Sequence, residues 1–165
     1  MNLSNPKVKV PATKWELLFH FLSLVVMLST IVYAIYQYES LPDRIPTYFN
    51  AQGEADGWGS KSSIFILPVI TALTFILLYF LTKAPHIFNL PVTITEDNAP
   101  RIYSLARTMM AVFNFEIVLI LSYATWSTIQ ATRGESTLGV GFILFTIFVP
   151  LITMILFIIK MNRSG

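Results

Sequence analysis

Four apolar runs set the pattern of this chain. Leu17 to Tyr36 passes 20 residues without a charge, Ile64 to Leu81 passes 18, and Leu138 to Ile159 passes 22. Met109 to Ile129 covers 21 residues and holds one charge, Glu116. A helix needs ~20 apolar residues to cross the hydrocarbon core, so each run is long enough to span. Lipid offers backbone groups no partner, so runs of this length must be helical. The pattern therefore predicts an all-α integral membrane fold, a four-transmembrane-helix bundle forming one membrane domain over residues 1–165. The spans fall at about 15–37, 63–82, 103–130 and 138–160, with an outer loop over 38–62 and a cytoplasmic loop over 83–100. The first run follows Lys7, Lys9 and Lys14, as a signal peptide would. It is long for one, however, and Tyr33 to Tyr38 offers no cleavage site of small residues, so it reads as a retained span.

The connecting segments alternate in basic residues. Lys7, Lys9 and Lys14, then Lys83, Arg101 and Arg107, then Lys160 and Arg163 place eight of the eleven Lys and Arg on one side. Arg44, Lys61 and Arg133 lie on the other. The positive-inside rule then puts both termini in the cytoplasm and the protein in the cell membrane as a multi-pass chain. Trp15, Trp58 and Trp126 fall near span ends, where amphipathic rings prefer to sit. Two prolines lie within spans. Pro68 is close to the start of the second and should be mild, while Pro150 removes the bond to the Thr146 carbonyl and should kink the fourth.

Composition agrees with this reading. Apolar residues make up 55% and charged residues 12%, more apolar surface than a water-soluble domain of this size could hide. The net charge of +2 gives no reason to expect nucleic acid as a partner, and without cysteine there is no disulfide, thiolate metal site or Cys nucleophile. Catalytic and nucleotide-binding fingerprints are missing. The two histidines, His20 and His86, fall in different segments, a poor start for a metal site. The expectation is a protein with no enzymatic activity, no cofactor and no metal.

Glu116 is the leading polar candidate, because a carboxylate near the centre of a span costs ~2.5–3.5 kcal/mol on insertion scales. Arg107, nine positions earlier, lies about 180° around the helix and cannot neutralise it from the same face. His20 on the first span and Tyr79 on the second sit toward the same end, so a cluster of Glu116, His20 and Tyr79 is expected. It serves either as a proton-linked or ligand-binding site, or as an interhelical hydrogen bond that fixes packing. At the inner interface Arg101 and Arg107 anchor the third helix or meet lipid phosphate or a partner. Thr95 or Asn98 can cap that helix, and Pro100 fits its first turn. The apolar set Ile87, Phe88, Leu90, Val92 and Ile94 is expected to lie along the membrane surface or to pair as a short extended segment.

The outer loop is the most distinctive stretch. Pro42 and Pro46 fix extended backbone, and Asn50 to Gly53 and Asp56-Gly57 are turn signals. The expected form is a short ordered lid with one hairpin, in which Asp43 and Arg44 satisfy loop backbone or pair with Lys61 and Glu54. The loop acids lack the spacing of a calcium loop.

In Leu41, Pro42, Ile45, Pro46, Thr47, Phe49, Asn50, Gly53, Asp56, Trp58, Ser60 and Lys61 the loop resembles the hallmark of the bacterial membrane family called domain of unknown function 1648. That family also forms the N-terminal part of immunity proteins against sporulation-delaying peptide toxins. The resemblance extends to Pro85–Val92 with Ile94–Glu96, and to Arg101–Arg107 leading to Glu116. Tyr48 stands where the family usually has His, which argues against metal binding or proton exchange there. The second half of the immunity proteins is missing. The resemblance implies a membrane architecture and a protective or accessory role, with a membrane-active peptide or another membrane protein as partner beside the lipid bilayer. The alternative is a small transporter or proton-coupled permease built as a homo-oligomer around Glu116.

Overall fold

The computed structural model describes residues 5–135 and 138–165. Its helices are α1 (Lys14–Tyr38), α2 (Ile66–Thr82), α3 (Ala99–Ala131) and α4 (Val140–Asn162), with a 3-10 turn at Lys61–Phe65 leading into α2. All four, the second counted with its 3-10 turn as Lys61–Thr82, are long and apolar enough to cross a membrane, and the protein is a multi-pass membrane protein. At 33 residues α3 is ~50 Å long and exceeds the ~30 Å hydrocarbon core, so its ends reach into the polar layers.

Local chemistry fixes where the helices begin and stop. Thr13 caps α1 by accepting a hydrogen bond from the Glu16 N–H at 3.0 Å. Before α3, Thr95 and Asn98 bond reciprocally: the Asn98 Oδ1 accepts from the Thr95 N–H at 2.9 Å, and the Thr95 Oγ1 accepts from the Asn98 N–H at 3.2 Å. This is the logic of a capping box, with Pro100 just inside the helix. At the far end Gly134 takes a φ of +84° and α3 stops. The Gly134 N–H bonds to the Ala131 carbonyl and the Glu135 N–H to that of Gln130, the pair of bonds that defines a Schellman cap.

Helix packing is inside-out relative to a soluble protein. The buried positions of α1 are Glu16, His20, Ser23, Met27, Thr30 and Ala34, spaced alternately by four and three residues. That is a coiled-coil seam built from polar and small side chains, while Leu17, Phe21, Leu24, Val25, Leu28 and Val32 face outward. Lipid is as apolar as leucine, so helices gain little by burying leucine and more by close backbone approach. Thr71 and Thr82 are buried on α2 in the same way. Central to the bundle is α3, which packs against each of the other helices, whereas α4 packs principally on α3. Along α4 the residues turned inward are Phe142, Thr146, Val149, Pro150, Thr153, Phe157, Ile158 and Met161, one face of the helix. The helix continues through Pro150.

Between α1 and α2 the chain forms an antiparallel hairpin of β1 (Arg44–Phe49) and β2 (Ala55–Ser60), pairing Arg44 with Ser60, Pro46 with Trp58 and Tyr48 with Gly57. Ile45 is its anchor, 1% exposed and packed with Ala34, Leu41, Ile64 and Ile129 at one end of the bundle. At the opposite end Ile102, Ala106 and Met161 form a second cluster with Phe88, Leu90, Val92 and Ile94. The apolar segment of the α2–α3 loop therefore packs onto the starts and ends of helices and forms no paired strand. Both Asn5 and Gly165 lie at this end, since Asn5 bonds to the loop and Gly165 approaches Val92.

Candidate functional site

Among the described residues the buried carboxylates occur in two separate places. The first is where α1 begins. Glu16, on the buried seam of α1, meets Arg107 of α3 with Nη2 to Oε1 at 2.7 Å. The two side chains are 4% and 12% exposed, so each would carry a large desolvation penalty without the other. Arg107 also donates to the Val10 carbonyl. One turn further along α1, His20 packs edge-on against Tyr79 of α2, ring centroids 4.9 Å apart. Both ring nitrogens of His20 are buried without a hydrogen-bond partner. Lys83, at the end of α2, sets its Nζ 4.2 Å from the Tyr79 ring centroid, a cation–π contact.

The second place is the α3–α4 seam. Glu116, 7% exposed, accepts a hydrogen bond from the Thr153 hydroxyl of α4 at 2.5 Å. Its Oε2 is buried without a partner, as are Thr146 Oγ1 on the inward face of α4 and Ser122 Oγ on α3. The cluster expected from the sequence is thus divided. His20 and Tyr79 come together, but no hydrogen bond joins either to Glu116, which faces the fourth helix. Asn114 faces away from Glu116 and donates from Nδ2 to the Phe75 carbonyl of α2 at 3.1 Å. Arg101 is exposed at the start of α3, while Arg107 has a buried acidic partner.

Sequence reading passed over Glu16. Its signal was nevertheless present: Thr13-Lys14-Trp15-Glu16 has the spacing of a capping box, and a carboxylate on the first turn of an apolar span needs a cation. The Thr13 half of that box forms, while the Glu16 side chain goes to Arg107 instead of the Thr13 backbone.

The outer-loop residues divide into a buried and a displayed set. Leu41, Ile45 and Pro46 are buried, and Asp43, Arg44, Asp56 and Trp58 are exposed. At the turn the Asn50 Oδ1 accepts from the Gln52 and Glu54 N–H groups, and its Nδ2 donates to Glu54. Gly53 takes a φ of +84°, and a Cβ there would lie 1.1 Å from the Leu138 carbonyl oxygen, so the turn sits directly on the segment before α4. Asp43 accepts the Lys61 N–H at its carbonyl, and Lys61 Nζ stands 5.0 Å from the Tyr38 ring centroid. Of the two roles expected for Asp43 and Arg44, backbone satisfaction or pairing with Lys61 and Glu54, no ion pair is present among the described residues, and Asp43 meets Lys61 through main-chain atoms. Among the described residues the one ion pair is Glu16–Arg107, and no group of three His, Cys, Asp or Glu side chains could hold a metal. Tyr48 and Trp58, 72% and 52% exposed, stand on adjacent rungs of the hairpin.

The family model described as Domain of unknown function (DUF1648) matches residues 25–72, which takes in the second half of α1, the hairpin and the start of α2. The other two stretches over which the sequence resembles that family lie outside the match. An uncharacterized protein of the archaeon Archaeoglobus fulgidus is 30% identical over 109 residues, 61% of this chain and 58% of that protein. The chain thus spans under two thirds of that relative. No solved structure matches.

Proposed function

We propose that this is a non-enzymatic module of the cell membrane in the DUF1648 line, protective in the manner of peptide-toxin immunity proteins or accessory to another membrane protein. Its termini face the cytoplasm and its hairpin faces outward. The observation that carries the reading is the exposure of two aromatic side chains, Tyr48 and Trp58, on a hairpin that Ile45 locks to the bundle. Exposed Tyr and Trp give large contact area at small entropy cost, and they suit an amphipathic peptide arriving at the membrane surface. The two buried carboxylates, by contrast, each make a packing contact, Glu16 with Arg107 and Glu116 with Thr153.

The test is survival of a bacterial host expressing the chain under a panel of membrane-active peptides. Wild type is compared with Tyr48→Ala plus Trp58→Ala and with Glu116→Ala, each checked for membrane level. Protection that is lost in the hairpin variant and kept in Glu116→Ala is the expected result. Wild type that protects against no peptide overturns the immunity reading. The second reading, transport around Glu116, draws on the unpartnered Oε2 of Glu116 and Oγ1 of Thr146 in one seam. It predicts that Glu116→Gln abolishes proton or solute flux in proteoliposomes while the fold persists.

A further inference from the structure

At the end of the bundle that carries Asn5 and Gly165, the segment before α1 is strapped across the α2–α3 loop. The Asn5 Nδ2 donates to the carbonyls of His86 at 3.1 Å and Phe88 at 3.2 Å. The Tyr103 hydroxyl donates to the Pro6 carbonyl at 2.8 Å, Arg107 donates to that of Val10, and Thr13 and Thr108 join their hydroxyls at 2.9 Å. Within the strap exposure alternates: Lys7 and Lys9 are exposed, while Pro6, Val8 and Val10 are half-buried. The strap therefore fixes two lysines on one side of a backbone that is itself held at several points.

These lysines border a cavity of about 390 Å³ whose other charged or titratable walls are Lys83, His86 and Arg107. Three chain segments thus bring four cations and an imidazole to one opening. Glu16 offsets Arg107 alone, and among the described residues Lys7, Lys9 and Lys83 have no acidic partner. Arg107 also keeps a buried Nε–H without an acceptor. The guanidinium is held in place by Glu16 and Val10, so Arg107 keeps a fixed position in the lining of the cavity. Like-charged groups held this close repel one another, and the arrangement is satisfied by an anion that accepts several hydrogen bonds at once.

We propose that this cavity is a binding site for a phosphate-type anion at the membrane interface. Lys7, Lys9 and Lys83 supply the charge and the donors, with Arg107 as a fixed cation beside them. Two sources present that chemistry here, the headgroup of an anionic phospholipid and free phosphate. Lys83 lies against the rings of Tyr79 and Phe80 at 4.2 and 5.5 Å, so acyl chains could continue along α2 from a headgroup seated here. The site is independent of the hairpin and of the role proposed for it.

The test uses the full chain in a neutral detergent and reads the thermal midpoint as phosphatidylglycerol, phosphatidylcholine or inorganic phosphate is added. The variants are Lys9→Gln with Lys83→Gln, Lys7→Gln with Lys9→Gln, and the control Arg163→Gln, which lies away from the cavity. Removing two cations should weaken binding about thirtyfold. Phosphatidylglycerol that raises the midpoint of wild type and the control, with phosphatidylcholine inert and both double variants shifted to higher concentration, assigns the site to lipid. The same pattern with inorganic phosphate assigns it to the free anion. No rise with either anion, or a rise as large in both double variants as in wild type, overturns the proposal. A loss in Arg163→Gln equal to that in the double variants also overturns it, because general surface charge then explains the binding.

Discussion

Glu16 and Arg107 illustrate how one residue pair can hold two spans together in a solvent without water. Removing one partner leaves a charge 4–12% exposed with nothing opposite it, and loss of one side of a buried pair costs about 3–5 kcal/mol. Glu16→Leu alone should therefore lower the thermal midpoint in micelles sharply. Adding Arg107→Met should restore most of the loss, since two apolar side chains of similar size leave no orphan. If the double variant is as unstable as the single one, the pair is not the source of the stability. Glu116 follows a different rule. Its neighbour is a neutral hydroxyl, and a Gln carbonyl oxygen can accept the Thr153 hydrogen bond as well as a carboxylate can.

The number and kind of elements are where the sequence spoke most clearly. Long apolar runs announced four membrane-crossing helices, Asn50 to Gly53 the turn of the hairpin, and Thr95 and Asn98 a cap ahead of α3, which begins at Ala99. The facing of helices was harder to read, and the reason is physical. In these spans apolar residues surround the whole helix, so no hydrophobic stripe tells inside from outside. The informative stripe on α1 is the reverse one, Glu16, His20, Ser23, Met27, Thr30 and Ala34, polar or small residues at alternating spacings of four and three. Reading for that stripe would have put Glu16 and His20 on one seam and prepared the separation of His20 from Glu116. The tip of the hairpin likewise depends on one residue. At Gly53 an Ala would combine a φ of +84° with a Cβ driven into the Leu138 carbonyl. The backbone strain alone costs about 1–3 kcal/mol. Gly53→Ala should detach the hairpin tip, read as faster proteolysis at residues 50–55 with the helices intact. Unchanged cleavage would mean that the tip does not depend on this contact.

For the whole molecule, orientation in the bilayer is the property most open to direct test, and the absence of native cysteine makes that test clean. Single cysteines at Asp56 on the hairpin and at Ser164 near the C-terminus should behave oppositely toward a membrane-impermeant maleimide applied to intact cells. Asp56→Cys should label at once and Ser164→Cys only after lysis. The reverse pattern would invert the proposed topology and place the basic cavity on the outer surface.

The N-terminal strap and the Glu16–Arg107 pair join residues that lie 81–97 positions apart in the chain. During synthesis the first span therefore reaches the membrane well before its counter-charge exists. At ~5–20 residues per second, the 91 residues between Glu16 and Arg107 amount to a delay of about 5–18 s. Through that interval Glu16 lacks the Arg107 guanidinium, so the ion pair that ties α1 to α3 forms only after α2 has been made. Assembly of this bundle is then a question of timing as well as of packing.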